Sequence, residues 1–192
     1  MARKGPGPGA ALRSQARLVR IIAGRWKSRR LRSPRGRDVR PTTDRVREAW
    51  MSALGGSVSG ATVLDLFAGS GALGLESLSR GAESVIFVDR ARSSVNVIRH
   101  NVELLGAQND AEIVCEDVFR YLQRFEGLFD IALADPPYQG GDASALVKRF
   151  EGRPFAKELW LEHPVRELLS LPEGAKTRRY GDTALTTLST CS

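Results

Sequence analysis

The sequence predicts an α/β fold: a seven-stranded, mostly parallel sheet with helices on both faces and a small N-terminal β-ribbon and helix extension. Three observations predict it. Four strand-like runs, "TVLDLF", "SVIFVD", "AEIVCED" and "FDIALAD", alternate with helical patterns, and β-α steps of this length build parallel sheets. Runs such as "SVIFV" are apolar without a break, as strands covered on both faces are. A glycine turn, "AGSG", joins the first of these strands to its helix.

The elements follow in chain order. Residues 1–16 read as a disordered basic tail, because "GPGPG" suits neither regular structure. Residues 17–56 form a basic ribbon and helix, assigned to RNA binding. "RLVRIIAGRWKSRRL" alternates imperfectly and predicts a ribbon near 18–24 and 28–32, turned at Gly24. Thr42, Thr43 and Asp44 are N-cap candidates for a helix over 44–54. Residues 57–192 form the body. After "TVLDLF" and its turn, "ALGLESLSRG" is a helix stopped by Gly81, and "ARSSVNVIRHNVELLG" is a helix ending at Gly106. "VFRYLQRF" and "ASALVKRF" supply two more helices, "ELWLEH" a fifth strand and "PVRELLS" a short helix. "KTRRYGDTALTTLST" is a hairpin turning at Gly181-Asp182, which completes seven strands.

The 192 residues, 42% of them hydrophobic, suffice for a core without disulfide or metal. Cys115 is expected as a buried small hydrophobe and Cys191 as a surface residue. No apolar run is long enough to span a bilayer, and the basic leader lacks the apolar stretch of a signal peptide, so a cytoplasmic monomer is expected. Charge is unevenly spread. Residues 1–50 hold 15 Lys or Arg against 3 Asp or Glu, a balance of +12, whereas the remainder holds 14 against 19, a balance of −5. A basic end on a mildly acidic body is the footprint of a polyanion partner.

Gly69, Gly71 and Gly74 satisfy G-x-G-x-x-G, and Asp89 lies 20 residues after Gly69, as in a dinucleotide fingerprint. Asp65 argues against that ligand, since a carboxylate at the first strand's end is badly placed beside a pyrophosphate. It suits a cation, such as the ammonium of a methionine moiety. Asp89 can then accept from ribose hydroxyls and Asp117 from an adenine amino group, with Glu116 as the lesser choice. Together these residues describe S-adenosyl-L-methionine better than a nicotinamide dinucleotide. Capping of helices is the competing role for all three aspartates.

"ALADPPYQG" ends the fourth strand on the same side. Prolines fix φ and remove amide donors, so the Pro136 carbonyl has a set direction beside Pro137. Asp135 and that carbonyl can accept the two hydrogens of a planar amino group, while Tyr138 offers a stacking face worth roughly 1–3 kcal/mol per base. An exocyclic nitrogen is a poor nucleophile, and two acceptors around it stabilise positive charge as it attacks a sulfonium methyl. A stiff packing turn is the alternative.

"VLDLFAGSGALGLESLSRGA", "FVDR" and "ADPPY", with "RIIAGRWKSRRL", "RPTTDRVREAW" and "YGDTALTTL", resemble the RsmD family of bacterial 16S ribosomal RNA guanine-N2 methyltransferases, from Arg17 to the end. The resemblance implies a class I S-adenosylmethionine-dependent, Rossmann-like methyltransferase fold. It implies methyl transfer to a guanine N2 in 16S ribosomal RNA (guanine 966 in ribosomal RNA numbering) during small-subunit assembly, without a metal. The RNA is expected within the small subunit or its assembly intermediate. Asp65, Phe67, Gly69, Gly71, Asp89, Arg90 and Asp117 fall in the implied cofactor set, and Asp135, Pro136, Pro137 and Tyr138 in the catalytic turn. Arg40, Thr42, Thr43, Asp44 and Arg45 match a segment that helps close the pocket, although the helix carrying Arg45 and Arg47 also suits salt-bridged packing. Arg20, Arg25, Lys27, Arg29, Arg30, Arg32, Arg40 and Arg45 form the expected RNA-binding set. Trp26 fits either RNA stacking or an apolar anchor. Glu162 ends the fifth strand as in the family; His163, with no partner apparent in sequence, reads as a surface residue or strand-end packing, and His100 has no catalytic role.

Three other functions share parts of this pattern. A DNA adenine-N6 methyltransferase uses the same four-residue turn on a flipped base, but no large target-recognition region is present. Protein glutamine methylation fits the basic N-terminus poorly. A non-catalytic RNA-binding assembly factor would not need Asp65, Asp89 and Asp135 together.

Overall fold

A computed structural model describes residues 19–34, 44–138 and 140–190. Its first elements are a two-stranded antiparallel ribbon, β1 (Val19–Arg20) and β2 (Arg30–Leu31), then helix α1 (Asp44–Leu54) and a short 3-10 turn, Gly55–Val58. The body follows as β3 (Thr62–Leu66), α2 (Ala72–Ser79), β4 (Ser84–Asp89), α3 (Arg92–Leu105), β5 (Ala111–Cys115), α4 (Val118–Arg124), β6 (Phe129–Ala134), α5 (Asp142–Gly152), β7 (Ala156–Pro164), β8 (Lys176–Tyr180) and β9 (Thr183–Ser189). The seven-stranded sheet runs β5-β4-β3-β6-β7-β9-β8, parallel except for the antiparallel pairings of β9 with β7 and β8. The order turns back between β3 and β6, which opens a crevice at the carboxyl ends of the strands.

Strand periodicity divides the core into two layers. Val63, Ile131, Leu133, Trp160 and Leu185 face a layer shared with the ribbon and with Trp50 and Met51 of α1. Leu64, Leu66, Ala132, Ala134, Leu159, Leu161 and Leu188 face the other, where α4 and α5 contribute Leu122, Leu146 and Phe150. Each fully buried large aliphatic side chain contributes about 1.5–3 kcal/mol. Two-sided burial explains why the parallel strands read as unbroken apolar runs. No helix among the described residues is long and apolar enough to cross a membrane.

The ribbon is shorter than its sequence pattern because its backbone donors go to α2. The carboxylate of Glu76, fully buried, accepts from Ile22 N–H (2.7 Å) and Ala23 N–H (3.0 Å) and also from Arg80 Nε (2.8 Å). Ser79 takes Arg25 N–H on its carbonyl and Trp26 N–H on Oγ, and donates its own hydroxyl to the Ala23 carbonyl. Gly24 makes this approach possible. Its φ is +83°, and a Cβ there would sit 1.8 Å from the Ser79 carbonyl oxygen.

Two sequence expectations fail in the body. "PVRELLS" forms a turn rather than a helix. Val165 N–H is drawn to the Asp182 carbonyl, which prolongs the β7–β9 ladder, and Leu168 stays 94% exposed, so no apolar face is buried to offset helix nucleation. Cys115 is exposed, not buried, because β5 is an edge strand and Cys115 is its last residue. Residues 1–16, Arg40, Thr42, Thr43 and Cys191 lie outside the described residues, as does the Arg45 side chain.

Candidate active site

A cavity of about 920 Å³ lies at the crevice. Strands β3, β4 and β5 and the loops after them give it Asp65, Phe67, Gly69, Ser70, Asp89, Arg90 and Asp117; the loop after β6 gives Asp135 through Tyr138, and β7 gives Glu162. The ribbon side adds Val19, Ser33 and Pro34, and the β8–β9 turn adds Tyr180 through Thr183.

The half of the cavity formed by β3, β4, β5 and their loops is built from carboxylates that hold the backbone around it. Asp65 is buried on β3, and its Oδ2 accepts from Gly74 N–H at 2.9 Å in the first turn of α2. Burial pushes its carboxyl well above the usual carboxylate range; the Gly74 bond opposes this, while the nearby charges of Asp135 and Asp89 add to it. Asp89 accepts from Gly69 N–H through Oδ2 (2.9 Å) and from Ala91 N–H through Oδ1 (2.8 Å), fixing the glycine loop against β4. Asp117 realises the capping role: Oδ1 accepts from Phe119 N–H (3.0 Å) and Arg120 N–H (3.2 Å) at the start of α4. Glu116 instead pairs with Arg124 at 2.5 Å and Arg120 at 3.5 Å.

Phe67 occupies the left-handed region at φ 56°, unusual for a residue with a Cβ, and its ring lies edge-on to Phe119 at 6.3 Å. Such strain, about 1–3 kcal/mol, is kept where the chain must turn sharply beside a ligand. Gly69 and Gly71 share that region, at φ 57° and 74°. Gly74 serves packing, since a Cβ there would approach Phe87 Cε1 to 2.4 Å. The third glycine of the fingerprint thus reports helix–strand proximity, whichever nucleotide the loop holds.

In the half beside β6 and β7, Pro136 is buried, Pro137 exposed, and Asp135 and Tyr138 half-buried. Tyr138 donates its hydroxyl to Glu162 Oε1 at 3.1 Å and lies 3.0 Å from Thr183 Oγ1. Burial raises the phenol's pKa; the Thr183 bond works against that and the Glu162 and Asp135 charges with it. The ring is thus pinned at its far end, and Tyr138 lines the cavity. Register places Ala134 beside Leu161, so Asp135 and Glu162 leave adjacent strands side by side.

The six described cations of the expected RNA set, Arg20, Arg25, Lys27, Arg29, Arg30 and Arg32, are exposed on the ribbon. Arg25 lies over the Trp26 ring at 5.3 Å, and Trp26 is half-buried against the core, which favours the anchor role. Arg29 Nη2 reaches the Leu104 carbonyl at 3.3 Å. His163 has partners after all: it is buried, with Nε2 2.8 Å from Thr186 Oγ1 and Nδ1 3.1 Å from the Pro164 carbonyl. Packing is its role.

Two more residues organise this site: Arg47, which the sequence offered as a packing residue, and Asn101, which sequence reasoning passed over. Arg47 is buried in the cavity wall and donates from Nη2 to the Arg20 carbonyl at 2.8 Å. Asn101, fully buried on α3, accepts from Arg32 N–H (2.8 Å) and donates to the Arg32 carbonyl (3.0 Å) and the Ser70 carbonyl (2.9 Å). It joins the end of the ribbon to the glycine loop. Its position in the stripe Ser94, Ile98, Asn101, Val102, Leu105 was the available signal: a polar residue on a buried helical face needs partners.

Comparison with known proteins agrees with this architecture. A family model described as "Conserved hypothetical protein 95" matches residues 19–188. The Bacillus subtilis protein YlbH is 38% identical over 136 residues, 67% of this chain and 72% of that protein. The Escherichia coli K12 "Ribosomal RNA small subunit methyltransferase D" is 39% identical over 123 residues, 64% of this chain and 62% of its own length, so the match spans less than two thirds of that relative. Among solved structures, the Escherichia coli protein yhhF superposes with a TM-score of 0.76 at 31% identity, covering 88% of this chain and 96% of that one. The chain therefore belongs to the Conserved hypothetical protein 95 family and is homologous to the RsmD-type small-subunit methyltransferases whose motifs it carries.

Proposed function

We propose that the protein transfers a methyl group from S-adenosylmethionine to the exocyclic N2 of a guanine in 16S ribosomal RNA, within the small subunit or an assembly intermediate, with guanine 966 as the target nucleotide. The observation that carries the reading is the convergence of Asp65, Asp89 and Asp135 on one cavity, close enough for the other two charges to act on Asp65. Three carboxylates there favour a cationic ligand and oppose a pyrophosphate. The donor set fits the proposed cofactor: Asp65 for an ammonium, Asp89 for ribose hydroxyls, Asp117 for the adenine side, with Phe67, Gly69, Gly71 and Arg90 shaping the wall.

The bound cofactor supplies an electrophilic sulfonium methyl. Asp135 and the Pro136 carbonyl accept the amino hydrogens of the target base, hold its lone pair toward the methyl and stabilise the positive charge that develops on nitrogen. Asp135 or water receives the released proton. Tyr138, pinned through Glu162 and Thr183, offers its face to the base. Exposed cations of the ribbon, with Arg40 and Arg45, contact phosphates and position the RNA.

Methyl incorporation into small-subunit RNA, mapped by mass spectrometry with the wild type and Asp135→Ala, tests the reading. The wild type should yield 2-methylguanine at one position, and the variant should lose about 10²–10³-fold in turnover, as for removal of one charge-stabilising group. Its cofactor affinity should change less than threefold, about 0.6 kcal/mol. A methylated adenine, or equal losses in turnover and cofactor affinity, would overturn the assignment.

A further inference from the structure

Among the described residues, a second cationic surface lies beside the cavity. The edge strand β8 carries Lys176, Arg178 and Arg179, all exposed, with no acidic residue between Lys176 and Tyr180. Their cross-strand neighbours on β9 are Thr187, Leu185 and Ala184, so no carboxylate faces them across the ladder. Among the described residues none of the three forms an ion pair. This is unexpected in a body whose overall balance is acidic. The strand also points at the site: Tyr180, its last residue, lines the cavity, and the Gly181-Asp182 turn beyond it forms part of the same wall.

Alternation fixes which cations share the ribbon's side of the sheet. Leu185, opposite Arg178, and Tyr180 belong to the core layer that contains Val19, Ile21 and Leu31 of the ribbon. Lys176, Arg178 and Tyr180, spaced by two, project to that layer's side, and Arg179 projects to the other. From Lys176 to Tyr180 the strand covers about 13 Å at 3.3 Å per residue. The cavity is therefore bordered by exposed cations on both the ribbon and the hairpin.

We propose that β8 is a second phosphate-binding rail, so that the RNA straddles the cavity with its backbone held by the ribbon and by Lys176 and Arg178. This rests on the RNA-directed reading above. The competing explanation is that edge cations merely prevent strands of other molecules from adding to the sheet.

The test is binding of in vitro transcribed 16S ribosomal RNA to the full chain as a function of salt. Against wild type, the double variant K176Q/R178Q should flatten the slope of log affinity against log salt by about 1.4–1.8, since each lost phosphate contact removes roughly 0.7–0.9. S-adenosylhomocysteine affinity should stay unchanged, which also verifies the fold. If the double variant proves unstable, K176Q and R178Q singly should each flatten the slope by about 0.7–0.9. A steep wild-type slope retained in the variants overturns the rail and leaves the proposed function intact, and self-association of the variants with that slope retained assigns β8 to edge protection instead. Salt-independent binding by the wild type itself would sink both the rail and the RNA docking it rests on.

Discussion

Asp65 carries opposite burdens in stability and function. Its ordinary pKa is raised by burial, so the folded state favours the protonated form, and stability from this group is present at low pH and lost as pH rises through the raised value. Ionising Asp65 in the free protein is thus opposed by burial, and a cationic ligand would offset that cost. Asp65→Asn keeps an oxygen for the Gly74 N–H and removes the charge. It should raise the Tm of the ligand-free protein while abolishing measurable cofactor binding in calorimetry. A fall in Tm with binding retained would mean that Asp65 is purely structural. Asn101 belongs at this scale too. Asn101→Ala leaves the Arg32 and Ser70 backbone groups short of partners and should cost about 2–3 kcal/mol in urea unfolding. The sequence makes Asp65, Asp89, Asp117 and Asp135 legible because each closes its own strand, a local signal. It does not reveal what Asn101, Glu162 or Thr183 touch, since their partners are 31 or 69, 24 and 45 residues away and meet only once the sheet has ordered itself.

The elements were legible where periodicity and burial coincide. Helix α1 matches 44–54, and the four central strands lie where their apolar runs end. Where tertiary contacts compete for the backbone, the pattern misleads: Glu76 and Ser79 draw the ribbon's amides away, and the β7–β9 ladder takes the start of "PVRELLS". The docking of the ribbon onto α2 can be broken selectively. Glu76→Ala removes a buried acceptor of three hydrogen bonds and should destabilise the chain by about 2–4 kcal/mol, with early proteolytic cleavage within the ribbon. RNA affinity should fall more than cofactor affinity. Helix α2 is equally tight against β4, so Gly74→Ala, which sets a Cβ 2.4 Å from the Phe87 ring, should cost about 1–3 kcal/mol by overpacking.

For the whole molecule, acid should act in two windows. Burial lowers the His163 pKa below its usual 6.5, so the fold prefers the neutral ring; its stability contribution is complete above that value and declines as pH falls below it. Only the neutral tautomer with hydrogen on Nδ1 can donate to the Pro164 carbonyl while Nε2 accepts from Thr186. Asp130, held down to about 2 chiefly by Lys157 and then by Thr62, loses its contribution later, between its ordinary 3.8 and about 2. That pair is largely exposed, so the second step should be small. Urea titrations of wild type and His163→Gln check the assignment: the decline that sets in below pH 6.5 should shrink in the variant.

Strand β9 comes last in the chain yet lies inside the sheet, between β7 and β8, and brings Thr183 to the Tyr138 hydroxyl. Synthesis proceeds from the amino-terminal side, so a nascent chain already bearing Asp65, Asp89 and Asp117 still lacks the strand that meets Tyr138. On the proposed function, competence to methylate therefore waits for β9. A chain stalled before residue 183 would bind cofactor without being able to use it.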